Sequence, residues 1–403
     1  MPIVTIFSGA FCNEDAVVAA ILANTKYKLV TDRDVILKAV EGSNLDAQKF
    51  ERAFSAKTSM FNKFTHEKER AVASLKLSLA EILLEDNLLI KGFVSHLIPK
   101  SVEHALRVCL IAEMSYRTSL AAEQKKGSEK DAVKLIRRMD EDCAAWVDYI
   151  HQNPDPWAPA LYDVVVPMDK RSVPEAVELI EKYARAEVIK TTSASAQALK
   201  DFHLACMTEI ALGKEGHDVE VSANNGTVTL TINKNVLLLS RLEEDLKAIA
   251  TKVPGVKSVE TKVGKGYYQA DIYRKVDFEL PSKVLLVDDE REFVETLSER
   301  LMMRDMGSAV VYDGQSALEF VQEDEPDVMI LDLKMPGIDG IEVLRRVKSS
   351  NPNIEVIILT GHGSEADRQT CMDLGAFAYL QKPVDIDELS ATLKRAHDKV
   401  AKK

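Results

Sequence analysis

From residue 283 onward the chain alternates five times between a short apolar run and a stretch of helical periodicity, an alternation that few folds can accommodate. The apolar runs are 283–287, 309–312, 327–331, 354–359 and 377–380, and the helical stretches are 290–305, 314–324, 339–350, 364–374 and 385–398. Parallel strands need a crossover, and a helix is the usual one, so five βα units predict a doubly wound parallel sheet covered on both faces. An α/β architecture is therefore expected here.

Two stretches read as joints: the small polar run KTTSASAQ at 190–197 and DFELPSK at 277–283, where Pro281 precedes a new apolar run. They suggest three domains, 1–188, 193–277 and 282–403. The middle segment reads as a small α+β domain of helix, two strands, helix and two strands. Its strands are DVEVS, TVTLTI, KSVETKV and YYQADIY, with Asn225-Gly226 as a hairpin turn between the first two. LSRLEEDLKAIATKV places Leu239, Leu242, Leu246, Ile249 and Val253 on one helix face. The N-terminal segment opens with the strand PIVTIF and continues through mostly helical sequence to NLLIKGF, RVCLIA and YDVVVP. In its helix DAVKLIRRMDEDCAAWVDYI, Leu135, Met139, Trp146 and Ile150 form a stripe expected to pack.

With 46% hydrophobic and 29% charged residues among 403, the chain has globular composition. Its net charge of −12 argues against a dedicated nucleic-acid surface, which would need clustered Lys and Arg. Five scattered cysteines without C-x-x-C spacing fit reduced, buried thiols. MPIVTIFSGAFCNED lacks the basic start of a secretory signal, and no apolar run is long enough to cross a bilayer. A cytoplasmic protein with neither nucleic-acid nor membrane partners is expected.

In an open parallel sheet, ligands bind beyond the carboxyl ends of the strands. Asp288 and Asp289 follow the first run of the C-terminal segment, Asp332 follows the third, Thr360 the fourth and Lys382 the fifth. Three carboxylates gathered there would repel one another, and a divalent cation held by oxygen ligands relieves this; Mg2+ fits best. A carboxylate beside such a cation can attack a phosphoryl group, with the Lys382 ammonium paired to it and the Thr360 hydroxyl donating to it.

VLLVDDE, ILDLKMPGIDG, ILTGHG and YLQKP, in this order and separation, resemble the receiver domain of two-component response regulators over 282–403. The resemblance implies a flavodoxin-like sheet with Asp332 as phosphoacceptor. It also implies Asp289 as direct metal ligand with Asp288 as its partner, the Lys334 backbone carbonyl as a further ligand, and Thr360 and Tyr379 as a switch pair.

LIRRMDEDCAAWVDYI, LYDVVVPMDKRSVPEAVELI and YKLVTDRDVI resemble the cytidylate-kinase-like branch of nucleoside monophosphate kinases. A P-loop-kinase-like α/β fold is implied, with Arg137 and Arg138 on the arginine-bearing lid helix. The phosphate cradle, however, requires a glycine-rich loop ending in Gly-Lys-Ser/Thr, and FSGAFCNEDAV keeps Gly9 but places Glu14 and Asp15 at the helix start. Gly92-Phe93 likewise replaces the family's Gly-Arg. The middle segment, with NGTVTL and VPGVKSV, looks like the BON family. The expectation is a phosphorelay protein charged by a histidine kinase or phosphotransfer protein, with a kinase-like domain that binds nucleotide weakly if at all. The rival is an active CMP-type kinase regulated by the receiver.

Overall fold

The computed structural model describes residues 3–401 except 44, 126, 237, 269–272, 274 and 362. The chain divides into two compact units, one of Met1–Thr58 with Glu67–Tyr273 and one of Ser59–His66 with Arg274–Lys403.

In the first unit, β1 (Ile3–Ser8), β2 (Lys28–Thr31), β3 (Leu88–Lys91), β4 (Ala105–Ile111) and β5 (Val164–Pro167) pair in the order β2-β3-β1-β4-β5, all parallel. Successive strand side chains point to opposite faces, so Ile3 and Phe7 enter one core while Val4 and Ile6 enter the other. Burial on both faces is why these strands read as continuous apolar runs. The strand β2 was not foreseen: its four residues lie at the sheet edge, and only Val30 is fully buried, which leaves too little apolar signal.

Helix Glu129–His151 keeps the expected stripe in part, with Trp146 in the core and Ile150 packed against it. Its buried positions are Ala132, Ile136, Cys143, Trp146 and Val147, while Leu135 and Met139 are 36% and 41% exposed. The run at 190–197 holds the start of helix Ser193–Lys214, capped by Thr192, whose side chain accepts from Ser195 N. This helix sends Leu199 into the core that contains Leu75 and Leu79.

The middle segment continues with β6 (Glu220–Asn224) and β7 (Thr227–Ile232), an antiparallel hairpin turned by Asn225 and Gly226 at φ 52° and 90°. Two successive positive φ values are what a two-residue hairpin turn of this hand demands. Helix Leu239–Ala250 then leads to β8 (Ser258–Val263), parallel to β7. Leu242, Leu246 and Val253 are buried against this sheet as the periodicity predicts. The expected strand YYQADIY begins inside a 3-10 turn, Lys265–Tyr268, and its residues 269–272 lie outside the described residues.

The second unit contains β9 (Val284–Val287), β10 (Ser308–Val311), β11 (Val328–Leu331), β12 (Glu355–Thr360) and β13 (Ala378–Gln381). They form one parallel sheet in the order β10-β9-β11-β12-β13. Helices Arg291–Met302 and Ile386–Ala401 supply the core on one face; Gly314–Glu323, Gly340–Ser350 and Glu365–Asp373 supply the other. This is the doubly wound α/β sheet that the alternation predicts. Among the described residues no helix is long and apolar enough to cross a membrane, and all five cysteines are buried free thiols.

Candidate functional site

Parallel strands bring their carboxyl ends to one edge, and register sets which residues meet there. Val287 and Leu331 are paired, and Leu331 is also paired with Ile358. One residue further on, Asp332 N donates to Val287 O at 3.0 Å and Asp288 N to Val311 O at 3.2 Å. The ladder thus extends past the strands and delivers the two aspartates side by side. Carboxylate oxygens of Asp288, Asp289 and Asp332 lie within 4.8 Å of one another, with Asp288 and Asp332 buried and Asp289 exposed.

Lys382 closes the group from the end of β13. Its Nζ lies 2.7 Å from Asp288 Oδ2, 2.8 Å from Glu290 Oε1 and 3.3 Å from Asp332 Oδ2, and 4.4 Å from the centre of the Phe293 ring. The remaining oxygens are also engaged. Asp288 Oδ1 accepts from Glu290 N at 2.9 Å, and Asp332 Oδ1 from Leu333 N at 2.6 Å and Lys334 N at 3.4 Å. Burial pushes the Asp288 carboxyl above its ordinary range, against the pull of Lys382. Burial also disfavours the Lys382 ammonium, but its hydrogen bonds to Asp288 and Glu290 outweigh that and leave its pKa raised. Glu290 and Phe293 were not foreseen in this role; both follow the aspartate pair by only a few residues at the start of the helix.

Thr360 ends β12 fully buried, and its carbonyl accepts from Lys382 N at 3.0 Å. Tyr379 turns inward: a Cβ built on Gly363 would lie 1.6 Å from the Tyr379 hydroxyl oxygen and 3.1 Å from Thr360 Cγ2. That hydroxyl is buried with no hydrogen-bond partner among the described residues. His362 of the ILTGHG motif lies outside the described residues.

The donor set suits a hard divalent cation, since the grouped ligand atoms among the described residues are all carboxylate oxygens. An ammonium in hydrogen-bond reach of two carboxylates also supplies a fixed positive charge where an anionic group would attach.

The carboxyl edge of the first sheet is built differently. Glu14 and Asp15 open the helix Glu14–Asn24, and Lys91 from β3 pairs with both, at 3.1 Å from Glu14 and in close contact with Asp15. The Asp32 carboxylate accepts from Phe93 N at 3.0 Å and Val94 N at 2.8 Å. Arg117 is buried, forks onto Asp140 at 2.9 and 2.6 Å, and donates through Nε to Ala10 O at 2.8 Å. Burial raises the Glu14 carboxyl pKa, partly offset by Lys91. A cavity of about 800 Å³ opens here, lined by Phe11, Glu14, Asp32, Lys91, Leu135 and Met139 among others. Arg137 and Arg138 are exposed and not among its lining residues, because the helix turns positions 135 and 139 toward the cavity and 137 and 138 away. Arg117, which sequence reasoning passed over, is the buried arginine of this region.

Residues 284–394 match the model of the response regulator receiver domain, and residues 3–170 match that of the cytidylate kinase-like family. The response regulator MprA of Mycolicibacterium vanbaalenii is 35% identical over 115 residues, 28% of this chain and 50% of that protein. Its counterpart in Mycobacterium leprae is 37% identical over 112 residues, 28% of this chain and 49% of that protein. This chain thus spans about half the length of the curated relatives it matches. A solved response regulator receiver domain protein from Clostridium thermocellum is 34% identical, covering 29% of this chain and 94% of that one with a TM-score of 0.28. The receiver-domain match at 284–394 thus contains the aspartates and the lysine that converge at the sheet edge, and the C-terminal part of this chain is similar to response regulator receiver domains.

Proposed function

We propose that this chain is a cytoplasmic phosphorelay protein in which Asp332 accepts a phosphoryl group from a histidine kinase or a phosphotransfer protein. An Asp332 carboxylate oxygen attacks phosphorus, a P–O bond forms as the donor's P–N bond breaks, and the departing imidazole nitrogen takes up a proton. Asp288, Asp289, Asp332 and the Lys334 carbonyl would hold Mg2+, which when bound neutralises charge on the transferring oxygens. Lys382 then pairs with the attached phosphoryl group, exchanging part of its contact with Asp288 and Asp332. Thr360 donates its hydroxyl to the same group, and Tyr379 follows it as the switch partner.

The observation that carries this reading is Lys382 Nζ held between Asp288 and Asp332 at 2.7 and 3.3 Å. The test is incubation of the full chain with Mg2+ and a small-molecule phosphodonor, followed by intact mass. One phosphoryl group should appear on the wild type and be absent from Asp332→Asn. Equal labelling of both proteins removes Asp332 as acceptor.

We infer further that the kinase-like part has lost phosphoryl transfer. Support comes from three internal carboxylates: Glu14 and Asp15 take up Lys91, and Asp32 takes up the Phe93 and Val94 amides. Those donors would otherwise serve an anionic ligand. The rival, an active CMP-type kinase under receiver control, draws on the retained cavity of about 800 Å³. A coupled assay with ATP and CMP decides between them, and sustained turnover favours the rival.

A further inference from the structure

Residues 59–66 fold with the receiver although they lie within the sequence of the N-terminal segment. The chain leaves the first unit after Thr58 and re-enters it at Glu67. Phe61 is wholly buried in the core cluster that also holds Leu331 and Leu333, the residues on either side of Asp332. Its ring meets Phe320 edge-on, with centroids 5.6 Å apart and planes at 77°.

Polar contacts hold the same stretch. Ser59 Oγ donates to the two Asp324 carboxylate oxygens at 3.1 and 2.8 Å, and Met60 N donates to Oδ2 at 2.9 Å. Asp324 is itself buried, directly after the helix Gly314–Glu323. Phe64 occupies space that only a glycine at 307 leaves open, since a Cβ there would lie 2.5 Å from the Phe64 ring and 2.6 Å from Ser282 O. An aromatic anchor, a charge-assisted clasp and a glycine clearance are three independent contacts on one eight-residue stretch.

We propose that Ser59–His66 is a strap whose seating in the receiver is energetically coupled to phosphorylation of Asp332; the proposal rests on the reading of Asp332 as acceptor. Close-packed cores transmit small displacements, and Phe61 shares its core with both neighbours of the acceptor. Forming the acyl phosphate at Asp332 draws on Lys382 and disturbs the backbone at Leu331 and Leu333, so the packing around Phe61 changes with it. Coupling is reciprocal: loosening the strap alters the lifetime of the phosphoryl group. The output has a covalent route, since the strap is flanked by the helices Ala47–Ala53 and Glu67–Ile82 of the first unit.

The test uses the full chain with Mg2+ and a small-molecule phosphodonor, combining intact mass with hydrogen exchange of peptides covering 59–66. Phosphorylation of the wild type should change amide exchange in 59–66 by about fivefold or more, and Asp324→Asn should change the phosphoryl lifetime by a similar factor. Phe61→Leu, which keeps an apolar side chain in the core, should act in the same direction. Phosphoryl mass appearing with unchanged exchange in 59–66 overturns the strap alone, and this arm needs no variant. Absence of phosphoryl mass overturns the acceptor reading and the strap together.

Discussion

Lys382 Nζ lies 3.3 Å from Asp332 Oδ2, closer still to Asp288, and no more than 11% of the lysine side chain is exposed. A single ammonium thus compensates two buried carboxylates, and any cation or phosphoryl group arriving at this edge must share or displace it.

Replacing that lysine should separate two effects. Lys382→Ala leaves Asp288 and Asp332 without their shared counter-charge, so a divalent cation should bind about tenfold more tightly by titration calorimetry. Phosphorylation from a small-molecule donor should nevertheless slow by about a hundredfold, because a preorganised charge at the transferring group is gone. Weaker cation binding in the variant would contradict the charge balance derived for the site.

Asp32 should impart a pH dependence to the first unit. Burial raises its pKa from 3.8 to about 6, against the pull of the Val94 and Phe93 amides. The folded state therefore holds this proton more tightly than the unfolded chain, and the resulting stability is complete below pH 3.8 and lost as pH rises through 6. The full effect is about 3 kcal/mol. Denaturant unfolding followed by the fluorescence of Trp146 and Trp157 should show a stability decrease between pH 4 and 7 that Asp32→Asn flattens. Parallel pH profiles for the two proteins would exclude Asp32 as the titrating group.

Tyr379 carries a buried hydroxyl without a partner among the described residues. Losing it costs nothing in the resting state, so Tyr379→Phe should leave the receiver as stable as before or more stable by about 1 kcal/mol. Gly363→Ala should destabilise by about 1–3 kcal/mol through collision with that hydroxyl. In the Tyr379→Phe background the cost should fall, since the nearest ring carbon lies at 3.0 Å instead of the oxygen at 1.6 Å. A double-mutant cycle with no coupling would place the tyrosine outward.

Glu355 tests the frame of the sheet, away from the acidic edge. It is fully buried at the start of β12, with Lys399 Nζ at 3.0 Å and Lys348 Nζ at 3.7 Å. Glu355→Ala removes the buried carboxylate that both ammoniums approach, while Lys348 keeps Ile354 O and Lys399 reaches solvent, and should cost roughly 1–3 kcal/mol by thermal or denaturant unfolding. A loss below about 1 kcal/mol would mean that solvent already screens the triad.

The receiver was legible because its strands are short, contiguous and apolar, and the residue after each strand is chemically marked. Asp288, Asp332, Thr360 and Lys382 each follow an apolar run in the sequence, and parallel strands always bring their carboxyl ends to one edge. The first unit was harder to read. Strand β2 has one fully buried residue and no periodicity to betray it. Arg117 and Asp140 stand 23 positions apart, and nothing local distinguishes that pair from Arg137 and Arg138, which the helix turns away from the cavity. Asp32 satisfies the Phe93 and Val94 amides from some sixty positions away.

By itself the sequence determined the parallel α/β layering, the position of the acidic edge and that FSGAFCNEDAV holds no Gly-Lys-Ser/Thr run, because each follows from local periodicity or from residue identity. Tertiary structure alone decided that Lys382 spans two aspartates, that internal carboxylates occupy the donors of the kinase-like edge, and that Phe61 is seated in the receiver core. Those are pairings between distant segments, selected by packing and charge compensation after the chain has folded, and neither leaves a trace in local sequence.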